Sequence, residues 1–351
     1  MKSATLIGPR AIEIHEVPEP TTPSDGLKMK VKACGICGSD IRRWKEGPPA
    51  GEKEITPGHE AAGVVVEVGK DVKYFKEGDR IAIAPDIHCG HCYYCKRGMY
   101  NVCDDLRLVG ITPGYPGSFV EYQIITGEML ENGIVHPIAD TTPFSSAAMA
   151  EPSCSVLATH RKLGDSLNDV IVVIGAGPIG CLHVIVSKAR GARPVVSQRS
   201  EFRRKMVERF EPDLIVNPLE EDLVQRVRDF TNGLGADVVV CANPAAETQT
   251  QAVEMVRKGG RVVLFGGLPK ANPMTSLNSN IIHYGEIEVV GDFSYHPSIH
   301  ELALQLIDRN VIPAEQLITD RFSLDQVQQG FEKAAQGLGL KVLIEMDGKN
   351  S

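Results

Sequence analysis

Two rhythms of apolar and polar positions divide the chain. Up to about residue 150 the apolar positions fall in short strand-like runs, at 11–17, 27–34, 62–68, 80–84 and 119–125, separated by Gly- and Pro-rich turns. That spacing predicts a β-rich unit. From Ser153 to about Gly291 strand-like runs at 170–174, 194–197, 236–241 and 261–265 alternate with helical stretches. Alternation of this kind predicts a parallel, doubly wound α/β sheet. The tail adds helical runs at 299–309 and 324–337 and a last apolar strand at 341–345, which either extends that sheet or folds back onto the first unit. No internal repeat or low-complexity tract interrupts the pattern.

The stretch VIVVIGAGPIG, residues 170–180, is the centre of the second rhythm. Five apolar residues read as a strand buried on both faces, and a G-x-G-x-x-G turn follows at once. Gly175 allows the tight turn, Gly177 lets a pyrophosphate approach the backbone, and Gly180 lets the next helix, roughly 179–190, pack close to the strand. Phosphates then rest on the helix N-terminus, at Gly177, Pro178 and Ile179, where free N–H groups and the dipole favour anions. The flanking βαβ spacing makes this a dinucleotide site.

A chain of 351 residues is long enough for two domains with a core each. Lys and Arg number 37 against 45 Asp and Glu, a net charge of −8 with the basic residues dispersed, which argues against nucleic acid or an anionic membrane as partner. The first residues, MKSATLIGPRAIEIHEV, lack an apolar leader core, and no run is long enough to span a bilayer. The expected place is the cytoplasm. Nine cysteines without an export signal suggest thiols or metal ligands and not disulfides.

Four of those cysteines are Cys89, Cys92, Cys95 and Cys103. Thiolates so closely spaced surround one ion, and a full set of four is a closed, structural kind of zinc site, although an iron–sulfur cluster uses similar ligands. With the shell filled by sulfur, His88 and His91 are expected at the surface. A second cluster is dispersed: Cys34 and Cys37 with Ser39 and Asp40, then His59 and Glu60, then Glu151. Read alone, the Cys34–Cys37 spacing suits a redox pair or part of a zinc site, and His59 a structural histidine.

Taken together, GAGPIG, the four-cysteine lobe, CGSD at 37–40, GHE-x-x-G-x-V at 58–65 and GDR at 78–80 resemble the zinc-dependent medium-chain dehydrogenases, nearest their polyol (sorbitol) and threonine dehydrogenase branch. The resemblance covers essentially the whole chain. It implies a β-rich, GroES-like catalytic domain over 1–152, with 293–351 returning to it, and a Rossmann cofactor domain over 153–292. It implies a catalytic zinc on Cys37 and His59, with Glu60 or Glu151 completing three protein ligands and one open position. Asp40 is then the partner that orients His59, and Ser39 the hydroxyl that takes the alcohol proton. The implied reaction is hydride transfer between a secondary alcohol and a nicotinamide, with the zinc assisting loss of the hydroxyl proton. Members of the branch are commonly homotetramers, others homodimers.

Two positions depart from the family. A histidine commonly ends the proton relay where this chain has Arg42, and a guanidinium neither accepts nor usefully gives up a proton. The proton then leaves through water, or Arg42 and Arg43 bind an anionic substrate group. At the end of the second Rossmann strand, the acidic residue that hydrogen-bonds the ribose 2′-OH in NAD-binding members is replaced by Gln198. Arg199 and Arg203, four apart at a helix start, are expected to clamp a 2′-phosphate with Ser197, which favours NADP(H) over NAD(H). Tyr295 matches a substrate-contacting tyrosine of polyol dehydrogenases, with Ser294 in place of its arginine, and Trp44 and Phe119 either line the cleft or sit in the core, the commoner place for an aromatic. The expected substrate is a polyol/ketose pair. Alternatives are a sugar-alcohol phosphate or a threonine-type amino alcohol with NAD, and, from another class, a non-catalytic nucleotide- and zinc-binding protein.

Overall fold

The structure, a computed structural model, describes residues 1–346. The chain divides into two compact units, one of residues 1–154 with the chain from 295 onward, the other of residues 155–294. In chain order the first unit begins with β1 (Lys2–Gly8) and β2 (Ala11–Glu16), an antiparallel hairpin. Then follow β3 (Leu27–Gly35), α1 (Gly38–Glu46), β4 (Glu60–Val68), β5 (Arg80–Ala84) and the short pair β6 (Asp86–Ile87) and β7 (Arg107–Leu108). Next come β8 (Tyr122–Ile125), α2 (Gly127–Asn132), β9 (Ile134–Pro137), α3 (Phe144–Ala148) and α4 (Ala150–Leu163).

The second unit contains β10 (Val170–Ile174), α5 (Pro178–Ala189), β11 (Arg193–Ser197), α6 (Glu201–Val207), β12 (Leu214–Val216) and α7 (Leu223–Phe230). It continues with β13 (Ala236–Cys241), α8 (Ala246–Met255), β14 (Val256–Leu264), α9 (Ser279–Gly285) and β15 (Glu288–Gly291). Its six strands run parallel in the order β12-β11-β10-β13-β14-β15, the doubly wound α/β sheet that the alternating pattern predicts. All five residues of β10 are buried, as expected of a central strand with helices on both faces.

Back in the first unit are α10 (Ser298–Asp308), α11 (Ala314–Leu317), β16 (Ile318–Ser323), α12 (Val327–Gln336) and β17 (Lys341–Glu345). Here β16, β17, β3, β4, β5 and β9 line up in one mixed sheet of seven strands, with β8 also on β3. The last strand lies antiparallel to β3, with Leu343 opposite Gly35 and Ile344 opposite Cys34. Its core gathers Leu27, Met29, Val31, Phe119 and Phe331. Trp44 and Phe119 belong to that core, the second of the two places the sequence left open for them. Their rings stand 6.1 Å and 5.6 Å from the ring of Phe331. α1 turns Trp44 inward, and its indole N–H donates to Gln328 at 3.4 Å. A buried histidine pair ties β9 to α10, His136 Nδ1 lying 3.1 Å from His300 Nδ1.

Candidate active site

The Cys37–Asp40 segment builds one wall of the site because it starts a helix. Cys37 is the N-cap of α1, and Asp40, at the third helical position, accepts the Cys37 backbone N–H at 2.9 Å. This is a capping box with cysteine in the place usually held by serine or threonine. Buried Asp40 also turns its other oxygen to His59 Nδ1, 3.5 Å away, while His59 Nε2 lies 3.4 Å from Ser39 Oγ. One acidic side chain thus fixes both the helix start and the imidazole. Ser39 faces the histidine and does not cap the helix.

β4 begins at Glu60, directly after His59, and delivers both side chains beside Cys37. Cys37, His59 and Glu60 each offer a ligand atom within 4.8 Å of the others. A sulfur, an imidazole and a carboxylate so placed fit a zinc with three protein ligands and a free position. Cys34 does not join them; it is a free thiol fully buried in the core.

Glu151 stands outside that group of three. It is buried at the start of α4 and accepts the Tyr295 hydroxyl at 2.7 Å. Burial, with the charge of Glu60 added, pushes its carboxyl up to about 7. Tyr295 itself is buried, at 3% exposure, with its hydroxyl committed to Glu151. Arg42, by contrast, is exposed on α1, and Arg43 half-buried.

The sequence reading missed Lys341. This lysine opens β17 and is 3% exposed, and its ammonium donates to both Glu60 oxygens, at 2.6 and 2.7 Å. The signal was available: a charged residue at the head of the apolar run LKVLI, where no solvated face explains it.

The four-cysteine lobe forms between β6 and β7. Cys89, Cys92, Cys95 and Cys103 offer sulfurs within 4.8 Å of one another. Cys89 Sγ stands 4.0 Å from Cys95 Sγ and Cys92 Sγ 3.9 Å from Cys103 Sγ. The edge of a sulfur tetrahedron at a Zn–S length of about 2.3 Å is about 3.8 Å, so the set fits zinc closely. Backbone N–H groups of Cys89, Cys92 and Cys95 point at sulfurs of Cys103, Cys89 and Cys92, at 3.3–3.4 Å, and favour thiolates. Cys92, held by such donors, is lowered to about 6, whereas burial raises Cys95 to about 12. His91 is exposed; His88 is half-buried, stacked 4.1 Å from Tyr100.

In the second unit the glycine turn has the form its sequence requires. Gly175 has φ +113°, and a methyl group on Gly180 would come within 1.9 Å of the Gly175 carbonyl oxygen. Gly177, the N-cap of α5, differs: a methyl there would meet nothing nearer than Arg203 Nη1, at 3.6 Å. The turn thus packs tightly on its inner side and opens at Gly177, as a phosphate cradle should. Pro178 and Ile179 start the helix. Ser197 ends β11, and Gln198 folds its side-chain oxygen onto the Ser200 N–H at 2.9 Å. Ser200 is the N-cap of α6. Arg199 therefore precedes the helix and is exposed, which corrects the expectation that it shares a helical face with Arg203. Arg203 lies in the first turn of α6, half-buried, its guanidinium beside Gly177. Arg204 closes the turn by donating to the carbonyls of Gln198 and Arg199.

Comparison with known proteins agrees with this layout. Residues 23–134 match the family described as the alcohol dehydrogenase GroES-like domain, and residues 178–309 the one described as zinc-binding dehydrogenase. The chain is 32% identical to sorbitol dehydrogenase of Bacillus subtilis, over 98% of this chain and 97% of that protein. It is 34% identical to L-threonine 3-dehydrogenase of Thermococcus kodakarensis, over 98% and 96%. A solved structure of a putative zinc-binding dehydrogenase from Sinorhizobium meliloti, bound to NADP, superposes with a TM-score of 0.89 at 30% identity, covering 98% of each chain. Among the described residues no helix is long and apolar enough to cross a membrane. With its clustered metal donors and its glycine turn, the chain belongs to the zinc-dependent medium-chain dehydrogenases, in their polyol and threonine dehydrogenase branch, and is an oxidoreductase.

Proposed function

We propose that the protein transfers a hydride between NADP(H) and the secondary alcohol of a polyol or its ketose. The observation that carries the cofactor reading is Gln198. At the end of β11 there is no carboxylate to take the ribose hydroxyls or to repel a phosphate, and the amide oxygen is already committed to Ser200. Arg199, exposed next to it, and Arg203, beside Gly177, supply positive charge where a 2′-phosphate and the pyrophosphate need it. The NADP bound by the Sinorhizobium meliloti protein supports this choice, and the name of the Bacillus subtilis relative supports a polyol.

In this reading Cys37 and His59 hold the catalytic zinc, with Glu60 or Glu151 as the third ligand, and the four-cysteine lobe holds a structural one. Zinc supplies a Lewis acid and the nicotinamide a hydride carrier. The chain's own work is orientation and proton handling. Asp40 fixes the imidazole, and Ser39 Oγ is the hydroxyl placed to take the alcohol proton, while Glu151 is held by the Tyr295 hydroxyl. Exposed Arg42 takes no part in a relay, and the proton passes to water. The protein works as a homotetramer or homodimer in the cytoplasm, on the support of the family resemblance.

The deciding measurement is kcat/KM for NADPH against NADH, with fructose, xylulose and a ketose phosphate as substrates. NADPH should be favoured by tenfold or more, roughly the worth of one charged hydrogen bond. Arg199→Asp should weaken NADPH about 10- to 100-fold and NADH little. A wild-type preference for NADH, or equal losses for both cofactors, overturns the reading.

A further inference from the structure

The four-cysteine lobe makes a contact that holding a metal does not require. Its Tyr93 and Tyr94 stack on each other, 5.3 Å apart. Tyr100 instead meets a distant part of the chain: its ring lies 5.0 Å from that of His296, as well as 4.1 Å from that of His88. Tyr100 opens the short turn Tyr100–Val102, and its carbonyl oxygen accepts the N–H of Cys103, the fourth sulfur donor, at 3.1 Å. His296 is fixed in turn by the start of α10. Its Nδ1 accepts the Ser298 N–H at 3.2 Å, and its carbonyl oxygen accepts the Ile299 N–H at 2.9 Å. The residue before it is Tyr295, 3% exposed, whose hydroxyl donates to Glu151 at 2.7 Å. The chain enters Tyr295 through Ser294 at φ +52°, a left-handed conformation that a serine keeps only where its surroundings hold it. Glu151 lies close enough to His59 and Glu60 for their charges to act on its carboxyl.

We propose that Tyr100 and His296 are positioning residues: their stacked rings fix the backbone beside Tyr295, so that its hydroxyl stays on Glu151 next to the metal donors. The lobe then aligns the site as well as closing its own loop. The inference deepens the function proposed above and rests on its metal site. The physical argument is constraint. A single hydrogen bond from the tip of a tyrosine does not by itself hold a residue that follows a strained turn. The neighbour on the far side supplies what is missing. The His296 imidazole cannot slide off Tyr100 without losing a ring contact of specific geometry, and it cannot swing away without releasing the Ser298 N–H at the helix start. Tyr100 is itself tied to Cys103, so the constraint originates in the ordered lobe. A flexible aliphatic side chain at position 100 would leave the segment 295–298 looser, and the Tyr295–Glu151 pair would share that freedom. A group bordering a reacting centre shows such looseness in rate before it shows it in stability.

The test compares the zinc-loaded wild type with Tyr100→Leu, Tyr100→Phe, His296→Leu, Tyr295→Phe and the double variant of Tyr100→Leu with Tyr295→Phe, each checked for the zinc of the lobe. Hydrogen exchange at the Ile299 and His300 amides reads the segment directly, without turnover. In Tyr100→Leu those amides should exchange about tenfold faster and kcat/KM for the alcohol should fall about tenfold, the low end of what an outer partner of a site is worth, while KM for the nucleotide stays as in wild type. His296→Leu should match it, and Tyr100→Phe, which keeps the ring, should behave as wild type. Because Tyr100 acts through Tyr295, the double variant should be no slower than Tyr295→Phe alone. If Tyr100→Leu loses the lobe's zinc, His296→Leu carries the test, because it lies outside the lobe. Wild-type exchange and kcat/KM in the leucine substitutions overturn the proposal and leave the stack as packing. Losses that multiply in the double variant also overturn it, since Tyr100 then acts by another route. A wild type with no zinc that Cys37→Ser removes overturns the metal site itself, and the exchange rates then decide separately whether the stack holds the segment.

Discussion

His300 shows how a single buried side chain sets a pH limit. Fully buried and facing His136, it is pushed by burial, and then by its neighbour, down to about 3. In the unfolded chain the same imidazole titrates near 6.5. Below that value the unfolded state takes up a proton that the folded state refuses, so stability is complete above about pH 6.5 and falls as the pH drops toward 3. The slope is about 1.4 kcal/mol per pH unit for this one group. Urea midpoints measured at pH 7 and pH 5 should differ accordingly, and His300→Gln should flatten the dependence. Unchanged slopes would show that other groups govern acid sensitivity. Residue by residue, the sequence named every side chain of the metal clusters, because cysteine, histidine and glutamate at close spacings have few other uses. It missed Lys341 because the residue that explains it is far off in the chain, and it left Trp44 between core and cleft because an aromatic on a helix reads the same whichever it faces.

At the scale of elements, the turn between β10 and α5 separates two roles that glycine plays. Gly180→Ala places a methyl 1.9 Å from a backbone oxygen, so α5 must move off the strand. Its cost should be about 1–3 kcal/mol of stability, seen in the denaturant midpoint. Gly177 has φ −78°, and a methyl there meets only the tip of Arg203. Gly177→Ala should therefore leave stability within about 0.5 kcal/mol while weakening NADPH binding, measured by fluorescence titration. The opposite pattern, with Gly177 costing stability and Gly180 only binding, would refute the assignment of these roles. Elements with strong periodicity were legible: 236–241 and 341–345 match their strands to the residue. The reading that put Arg199 on the start of α6 placed it two residues too early: the first helical residue is Glu201, and the Ser200 side chain before it accepts the Arg203 N–H as the cap. β1 and β16 went unread, since short strands with polar residues at several positions alternate weakly and gain their place only from neighbours.

For the whole molecule, the chain order is not the order of the units. The second unit is one continuous segment, 155–294, whereas the first is made of two pieces that meet when Leu343 pairs with Gly35. Closing so long a loop is entropically slow compared with the local contacts of a βα repeat. In pulse-labelled hydrogen exchange during refolding, amides of β10, β11 and β13 should be protected before those at 33–35 and 341–345. Simultaneous protection would argue for a single cooperative collapse.

The place of β17 inside its sheet has a consequence for protein synthesis. A nascent chain that has released residues 1–154 from the ribosome still lacks the strand that covers the end of β3, and bare backbone there invites pairing with other chains. It also carries Glu60 without its cation. Quality control thus follows from topology. A chain stopped or clipped between residues 294 and 341 contains the whole second unit, 155–294, but lacks the lysine that pairs with Glu60, so the two units differ in how much of the chain each needs before it is complete.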